Sequence, residues 1–245
     1  MGFKKFRSYS GPPAKRRRMM PQSKTKRPVR RYRRRFRRPY RRMITTRIGR
    51  PVPEKTLTKL VYAQTSFITC SVYTAAMTGV NVIRANSIFN PDATGAGHQP
   101  LWRDQLAVLY GRYRVHGMKY KITLSCSSSK LTSCVLVVGR SSTPESTYNT
   151  AIERRGNRVM KAPPGVSHST TYSGYIRPGT PYGLSPSQMK DDEEFAAGIN
   201  ADPAKKTFAC FYAVTHENVG TVDLYYILEC TYYVELMDKY RVAGS

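Results

Sequence analysis

The residues that could do chemistry are concentrated in one stretch of basic clusters near the start of the chain. Lys15, Arg16, Arg17 and Arg18 are contiguous, and Lys24, Lys26 and Arg27 follow after a short spacer. The densest part runs from Arg30 to Arg42 as RRYRRRFRRPYRR, in which Arg30, Arg31, Arg33, Arg34, Arg35, Arg37, Arg38, Arg41 and Arg42 are interrupted by Tyr32, Phe36 and Tyr40. Residues 1–50 hold 21 of the 41 Lys and Arg residues and no acid, the first acid being Glu54. Guanidinium and ammonium groups in this density neutralise phosphates and release condensed counterions. The interleaved rings can stack on unpaired bases. These 19 residues are therefore the candidate nucleic-acid contacts, and the clusters at 15–18 and 30–38 also have the composition of nuclear-import signals. A block that repels itself cannot build a core, so it is expected to be a disordered arm.

Beyond residue 50 the balance changes. The remaining 195 residues carry 20 bases against 15 acids, so the net charge of +26 is an asymmetry between two segments. The two are divided as an arm over 1–50 and a body over 51–245, with PVPEK (51–55) as a proline hinge. The body shows no enzymatic signature. It lacks GxxxxGK[ST], HExxH, His-x-His and Gly-x-Ser-x-Gly, so no catalytic residue and no cofactor is expected. His98, His116, His168 and His216 show no ligand spacing to one another or to the cysteines, and no metal is expected. The acids Asp191, Asp192, Glu193 and Glu194 read as a solvated loop or a patch that meets a basic neighbour. Cys70, Cys126, Cys134, Cys210 and Cys230 are odd in number, contain no CxxC pair, and read as buried thiols in a reducing compartment. No apolar run of about 18 residues predicts a membrane span, and the start lacks the apolar core of a secretion signal. The Arg clusters likewise leave no apolar face for a mitochondrial transit helix.

The elements that must carry these residues are mostly strands. In Thr221–Leu236, eight apolar residues from Val222 to Leu236 share one parity, which is a strand with one face in a core. Tyr225, Ile227 and Tyr233 are mixed into the other, polar parity. Met118 to Cys126 alternates likewise, whereas Tyr113 and Val115 fall on the opposite parity, so a bulge at Gly117 is expected to reset the register. Leu131–Val138 fits a central strand after a turn at Ser127–Lys130, and Phe208 to Val214 alternates before a turn at Glu217-Asn218. Weaker strands are read at 57–68, 79–89, 157–162 and 168–177. Trp102, Leu106, Leu109, Tyr110 and Tyr113 follow helical spacing, which predicts a helix over 101–110 with Trp102 as a packing anchor. A second short helix fits near Glu145–Arg155, and 177–206 reads as a long surface loop. The pattern predicts an all-β, eight-stranded single jelly roll, an antiparallel sandwich with a short helix in one connection.

An arm hinged to such a body resembles the capsid proteins of small icosahedral viruses. The likeness sharpens in NSIFNPDATGAGHQPLWRDQLAVLYGRYRVHGMK (Asn86–Lys119), which is similar to a segment of circovirus-like capsid proteins, from viruses with circular single-stranded DNA that encode their own replication initiator. The positions that carry it are Pro91, Asp92, Thr94, Gly95, Gly97, His98, Gln99, Pro100, Asp104, Gln105, Tyr110, Tyr113, Val115 and Gly117, with Asn90 where an acid is often seen. The resemblance implies a 60-subunit shell with arms inside, a single-stranded DNA genome as partner, and a place in the virion and, during assembly, the host nucleus. It further implies a host nuclear-import receptor, and allows a host cell-surface receptor or glycan. Subunit contacts are expected from helix 101–110 and the loops, with Trp102, Asp104, Gln105 and Tyr110 as interface candidates. Sixty arms would bring about 1,260 positive charges, enough to neutralise on the order of one kilobase of single strand. The rival readings are the capsid protein of a small RNA virus and a cellular basic nucleic-acid-binding protein, which would often be basic throughout.

Overall fold

The computed structural model describes residues 53–143, 145–154, 156–165, 167–216 and 222–240. The arm and its 19 candidate contacts, and the turn expected at Glu217-Asn218, lie outside these residues. Eight principal strands run through the body: β1 (Thr56–Thr69), β3 (Val80–Arg84), β4 (Tyr110–Cys126), β5 (Thr132–Gly139), β6 (Arg158–Ala162), β7 (Thr170–Ile176), β9 (Phe208–Thr215) and β10 (Asp223–Lys239). Two short strands, β2 (Ser71–Val72) and β8 (Ala196–Gly198), add to β9 and β4. Sheet A is ordered β1-β10-β4-β7, and sheet B is ordered β2-β9-β5-β6 with β3 also on β9.

This order defines the fold. Numbered one to eight along the chain, the principal strands pair first with eighth, third with sixth, second with seventh and fourth with fifth, every one of these pairs antiparallel. The eighth also pairs with the third and the seventh with the fourth. The result is a long antiparallel ribbon rolled into two facing sheets, which is the jelly roll.

The period-two pattern sets which residues fill the space between the sheets. All eight apolar residues of this parity, Val222 just before β10 and seven on it as far as Leu236, are buried, with Leu228, Cys230, Tyr232 and Leu236 fully enclosed. They meet Leu60 and Tyr62 of β1, Tyr120 and Ile122 of β4, and Phe211 of β9 in one cluster. Full burial of each such side chain contributes about 1.5–3 kcal/mol before entropy is counted. The bulge forms where the parity break places it. The β10–β4 register passes from Tyr233↔Gly117 to Val234↔Val115, so His116 is the extra residue. Tyr113 and Val115 thereby face the same core as Met118 and Tyr120.

Three expectations are corrected. The helix read over 101–110 is only α1 (Arg103–Ala107), because Tyr110 and Tyr113 already belong to β4. Helical spacing arose there from the junction of a short helix and a strand. Residues 177–206 are not one open loop; they hold α3 (Pro186–Asp191), two 3₁₀ turns and β8. Ser185 caps α3 by accepting from the Gln188 amide, and the Gln188 side chain returns the bond, so a capping box nucleates structure in a Pro/Gly-rich stretch. The strand read at 79–89 shortens to β3, since Asn86 and Ser87 turn inward to polar partners. The helix near 145–155 forms as α2 (Tyr148–Glu153), capped by Thr147.

All five cysteines are buried free thiols. Burial pushes Cys70 and Cys230 up to about 12 and Cys210 to about 11, and raises Cys134 as well, so these four thiols stay protonated and unreactive.

Candidate nucleic-acid and assembly surfaces

The segment Asn86–Gly117 is consumed internally by bonds that close one end of the sandwich. Asp92 accepts from the amide and hydroxyl of Thr94, both at 2.8 Å, which fixes the turn before Gly95. Gly97 lies so close to this turn that a Cβ would stand 2.6 Å from that of Asp92. His98 stacks on buried Tyr62 with ring centroids 4.6 Å apart. Gln99 donates to Phe89 O at 2.9 Å and accepts from Arg103 Nη1 at 3.1 Å. Tyr113 donates to Ala201 O at 2.9 Å.

Two arginines hold the segment together. Arg84 donates to the carbonyls of Asn90, Asp92 and Ala93 at 2.8–3.1 Å. Arg103, only 6 % exposed, donates to Ile199 O, to Asn200 Oδ1 at 2.6 Å and to Asp104 at 2.7 Å, and lies over the ring of Phe89. Composition gives no reason to single them out, since a chain this basic presents Arg everywhere. The one local signal is their setting in apolar sequence, Val80–Arg84 and Leu101–Leu109.

The interface candidates separate. Asp104 and Gln105 are exposed on α1. Trp102 is 63 % exposed with a left-handed backbone (φ 73), so it is not the packing anchor expected of it. Leu101 and Val108 flank it at 72 % and 74 % exposure, which makes α1 an outward apolar knob. Tyr110 is 2 % exposed, and its hydroxyl bonds to Thr56 Oγ1 at 2.6 Å and Pro53 O at 3.0 Å. It ties β4 to the start of β1.

The acidic cluster meets basic neighbours. Lys205 Nζ lies 2.7 Å from Asp192 and 2.5 Å from Glu194, while Glu193 receives Arg112 at 2.5 Å and Arg114 at 3.0 Å. The Lys205 ammonium holds the Asp192 carboxyl below its ordinary value, and the two guanidiniums do the same to Glu193. Their lone pairs are spent on cations of the same chain, and no cluster of three His, Cys, Asp or Glu suited to a metal occurs among the described residues.

The outward faces of the two sheets differ. Sheet B is covered by its own chain except at Val159 of β6: Phe208, Cys210, Tyr212, Val135 and Val137 form a second apolar cluster under Met77 and Ala151 of α2. On sheet A, Leu57, Val61, Phe67, Tyr175, Tyr225 and Ile227 stay 43–76 % exposed. The signal for this bare face is in the sequence, as the aromatic and aliphatic residues on the polar parity of β10.

The sequence matches no protein-family model and no curated protein. Among solved structures the chain is similar to the decameric BFDV capsid protein (10 % identity over 74 % of this chain and 99 % of that one, TM-score 0.39). It is similar also to Cocksfoot mottle virus (10 %, 76 % and 96 %, 0.44) and to a semi-empty particle of Macrobrachium rosenbergii nodavirus (10 %, 80 % and 100 %, 0.41). The jelly-roll assignment stands on the strand order of the chain itself.

Proposed function

We propose that this chain is a viral capsid protein that assembles through its jelly-roll body into a small icosahedral shell and packages single-stranded DNA through residues 1–50. The observation that carries the reading is the segregation of charge: 21 bases and no acid in the arm, against a nearly neutral body. A cellular binder would often be basic throughout, whereas this body is nearly neutral. A container needs a polyanion-binding segment and a body free to pack against copies of itself. The exposed knob Leu101, Trp102 and Val108, and the end of sheet A at Phe67, Tyr225 and Ile227, supply apolar surface for such packing. The choice of DNA rests on the resemblance of Asn86–Gly117 to circovirus-like capsid proteins. The same arm, with its clusters at 15–18 and 30–38, would engage a nuclear-import receptor before assembly.

Sequencing the nuclease-protected nucleic acid of particles from infected material tests the reading. Circular single-stranded DNA is the expected cargo, and an RNA genome would transfer the protein to the RNA-virus alternative. Deleting residues 1–42 is expected to leave the body folded and the particles without genome. Recovery of full-length genome from such particles contradicts a packaging role for the arm. Binding of the full chain to single-stranded DNA should weaken with salt at a log–log slope of about −0.7 per phosphate engaged.

A further inference from the structure

One end of the bare face of sheet A has a chemistry of its own. Val61, Thr231, Lys119 and Tyr175 form one cross-strand row, and Lys59, Tyr233 and Gly117 form the next. Tyr175 and Tyr233 have ring centroids 5.9 Å apart, and Lys59 Nζ lies 5.5 Å from the centroid of Tyr233. A hollow of about 270 Å³ opens beside Tyr175, lined by His116, Arg177, Ser185 and Met189 among others. The bulge that resets β4 therefore also builds this corner, by turning His116 out and placing a glycine under the tyrosine. A Cβ on Gly117 would stand 1.9 Å from the Tyr175 hydroxyl, so the ring's hydroxyl end is seated on bare backbone while the residue stays 51 % exposed.

The cations here are not spent. Lys59, Lys119 and Arg177 make no ion pair among the described residues, whereas Lys121, one row further along the sheet, pairs with Glu229. Glu235, beside this corner, is 7 % exposed and lies 3.0 Å from His116 Nε2, so it is turned from the cations to the histidine. Exposed rings flanked by unpaired cations are what single-stranded nucleic acid needs: a π-face for a base and charge for its phosphates. The opposite end of the face, Phe67 and Tyr225 beside Asp223, lacks those cations.

We infer that Tyr175, with Tyr233, Lys59, Lys119 and Arg177, forms a nucleotide-binding site on the body, at which a base of single-stranded nucleic acid stacks on Tyr175 while Lys119 and Arg177 hold the adjoining phosphates. The site rests on the nucleic-acid reading above and adds to it a contact that does not depend on the arm. Stacking is indifferent to sugar and nearly to base, so the site holds a strand without reading its sequence.

Photocrosslinking tests it on the full chain. A short oligonucleotide carrying 5-bromodeoxyuridine is irradiated with the protein, and adducts are mapped by mass spectrometry. Adducts are expected at Tyr175 or Tyr233 as well as in the arm. Tyr175→Ala should remove the adducts on the sheet and keep those of the arm, and Tyr175→Phe, which retains the ring, should keep both. At about 0.5 M salt, where the arm's electrostatic contribution is weakened, Tyr175→Ala should lower affinity about five-fold or more. Replacing Lys119 and Arg177 by Gln together should reduce the salt slope by about 0.7 per phosphate released. Adducts confined to the arm overturn this inference and leave the proposed function standing, whereas no binding at all overturns both. Loss of particles in Tyr175→Ala with its sheet adducts retained would make the face a contact between subunits and overturn the inference.

Discussion

The two sheets of this sandwich share one core and differ on the other side. Sheet B is roofed by its own chain, with α2 and Met77 closing a second apolar cluster over Tyr212 and Phe208. Sheet A carries Leu57, Val61, Phe67, Tyr225 and Ile227 outward with nothing from the described residues over them. An isolated soluble domain usually covers or polarises a face this wide. The difference lies within one fold: most of sheet B is completed by intrachain packing, and the outward face of sheet A stays open among the described residues.

The largest effect that would break this comparison lies under the roof. Tyr212 is 1 % exposed and accepts the Glu145 amide at 2.8 Å, so Tyr212→Ala removes a ring and leaves an orphaned donor. It is expected to cost about 3–5 kcal/mol in denaturant unfolding. Gly117→Val comes next: a branched side chain drives Tyr175 off its seat and strains the bulge, with an expected loss of about 1–3 kcal/mol. Unchanged stability there would mean that Tyr175 is not fixed by the bulge. On the bare face, Ile227→Ala should change stability by no more than about 0.5 kcal/mol. A cost comparable to that of Tyr212→Ala would show that sheet A is covered after all.

The smallest effect concerns the corner of sheet A where β8 joins β4. There Asp192 and Glu193 clamp the chain to Lys205, Arg112 and Arg114, beside the buried Phe195 and Ala197. Both carboxyls are held below their ordinary values of 3.8 and 4.5. Their contribution is therefore complete above those values and is lost as pH falls through the lowered ones. Melting temperature should drop modestly as pH falls below those ordinary values, and less so at high salt, because Glu193 is exposed and Asp192 and Lys205 are partly so. A salt-independent drop would point to buried groups instead.

How much of this was legible in the sequence follows from which interactions are periodic. Alternation in Val222–Leu236 and the parity break at Gly117 give β10, β4 and the bulge, because side-chain direction in a strand is set by count alone. The roll of the sheets rests on these same strands. Trp102 and Tyr110 were misplaced for a local reason: a five-residue helix running into a strand mimics two turns of a longer one. Arg84 and Arg103 leave no such signal, because Arg84 bonds to the carbonyls of the nearby loop at Asn90, Asp92 and Ala93 and Arg103 to Ile199 and Asn200 far along the chain, which no spacing rule reports. The residues proposed around Tyr175 leave no such signal either, since they come from β1, β4, β7 and β10 and meet only through the sheet register. The arm was legible as chemistry and needed no fold to be so.

The central claim is that a segregated basic arm and a half-covered jelly roll make a container. Electron microscopy of the purified full-length protein with single-stranded DNA tests it most directly. Uniform icosahedral particles are the predicted result, and a soluble monomer that binds the DNA without assembling would contradict it.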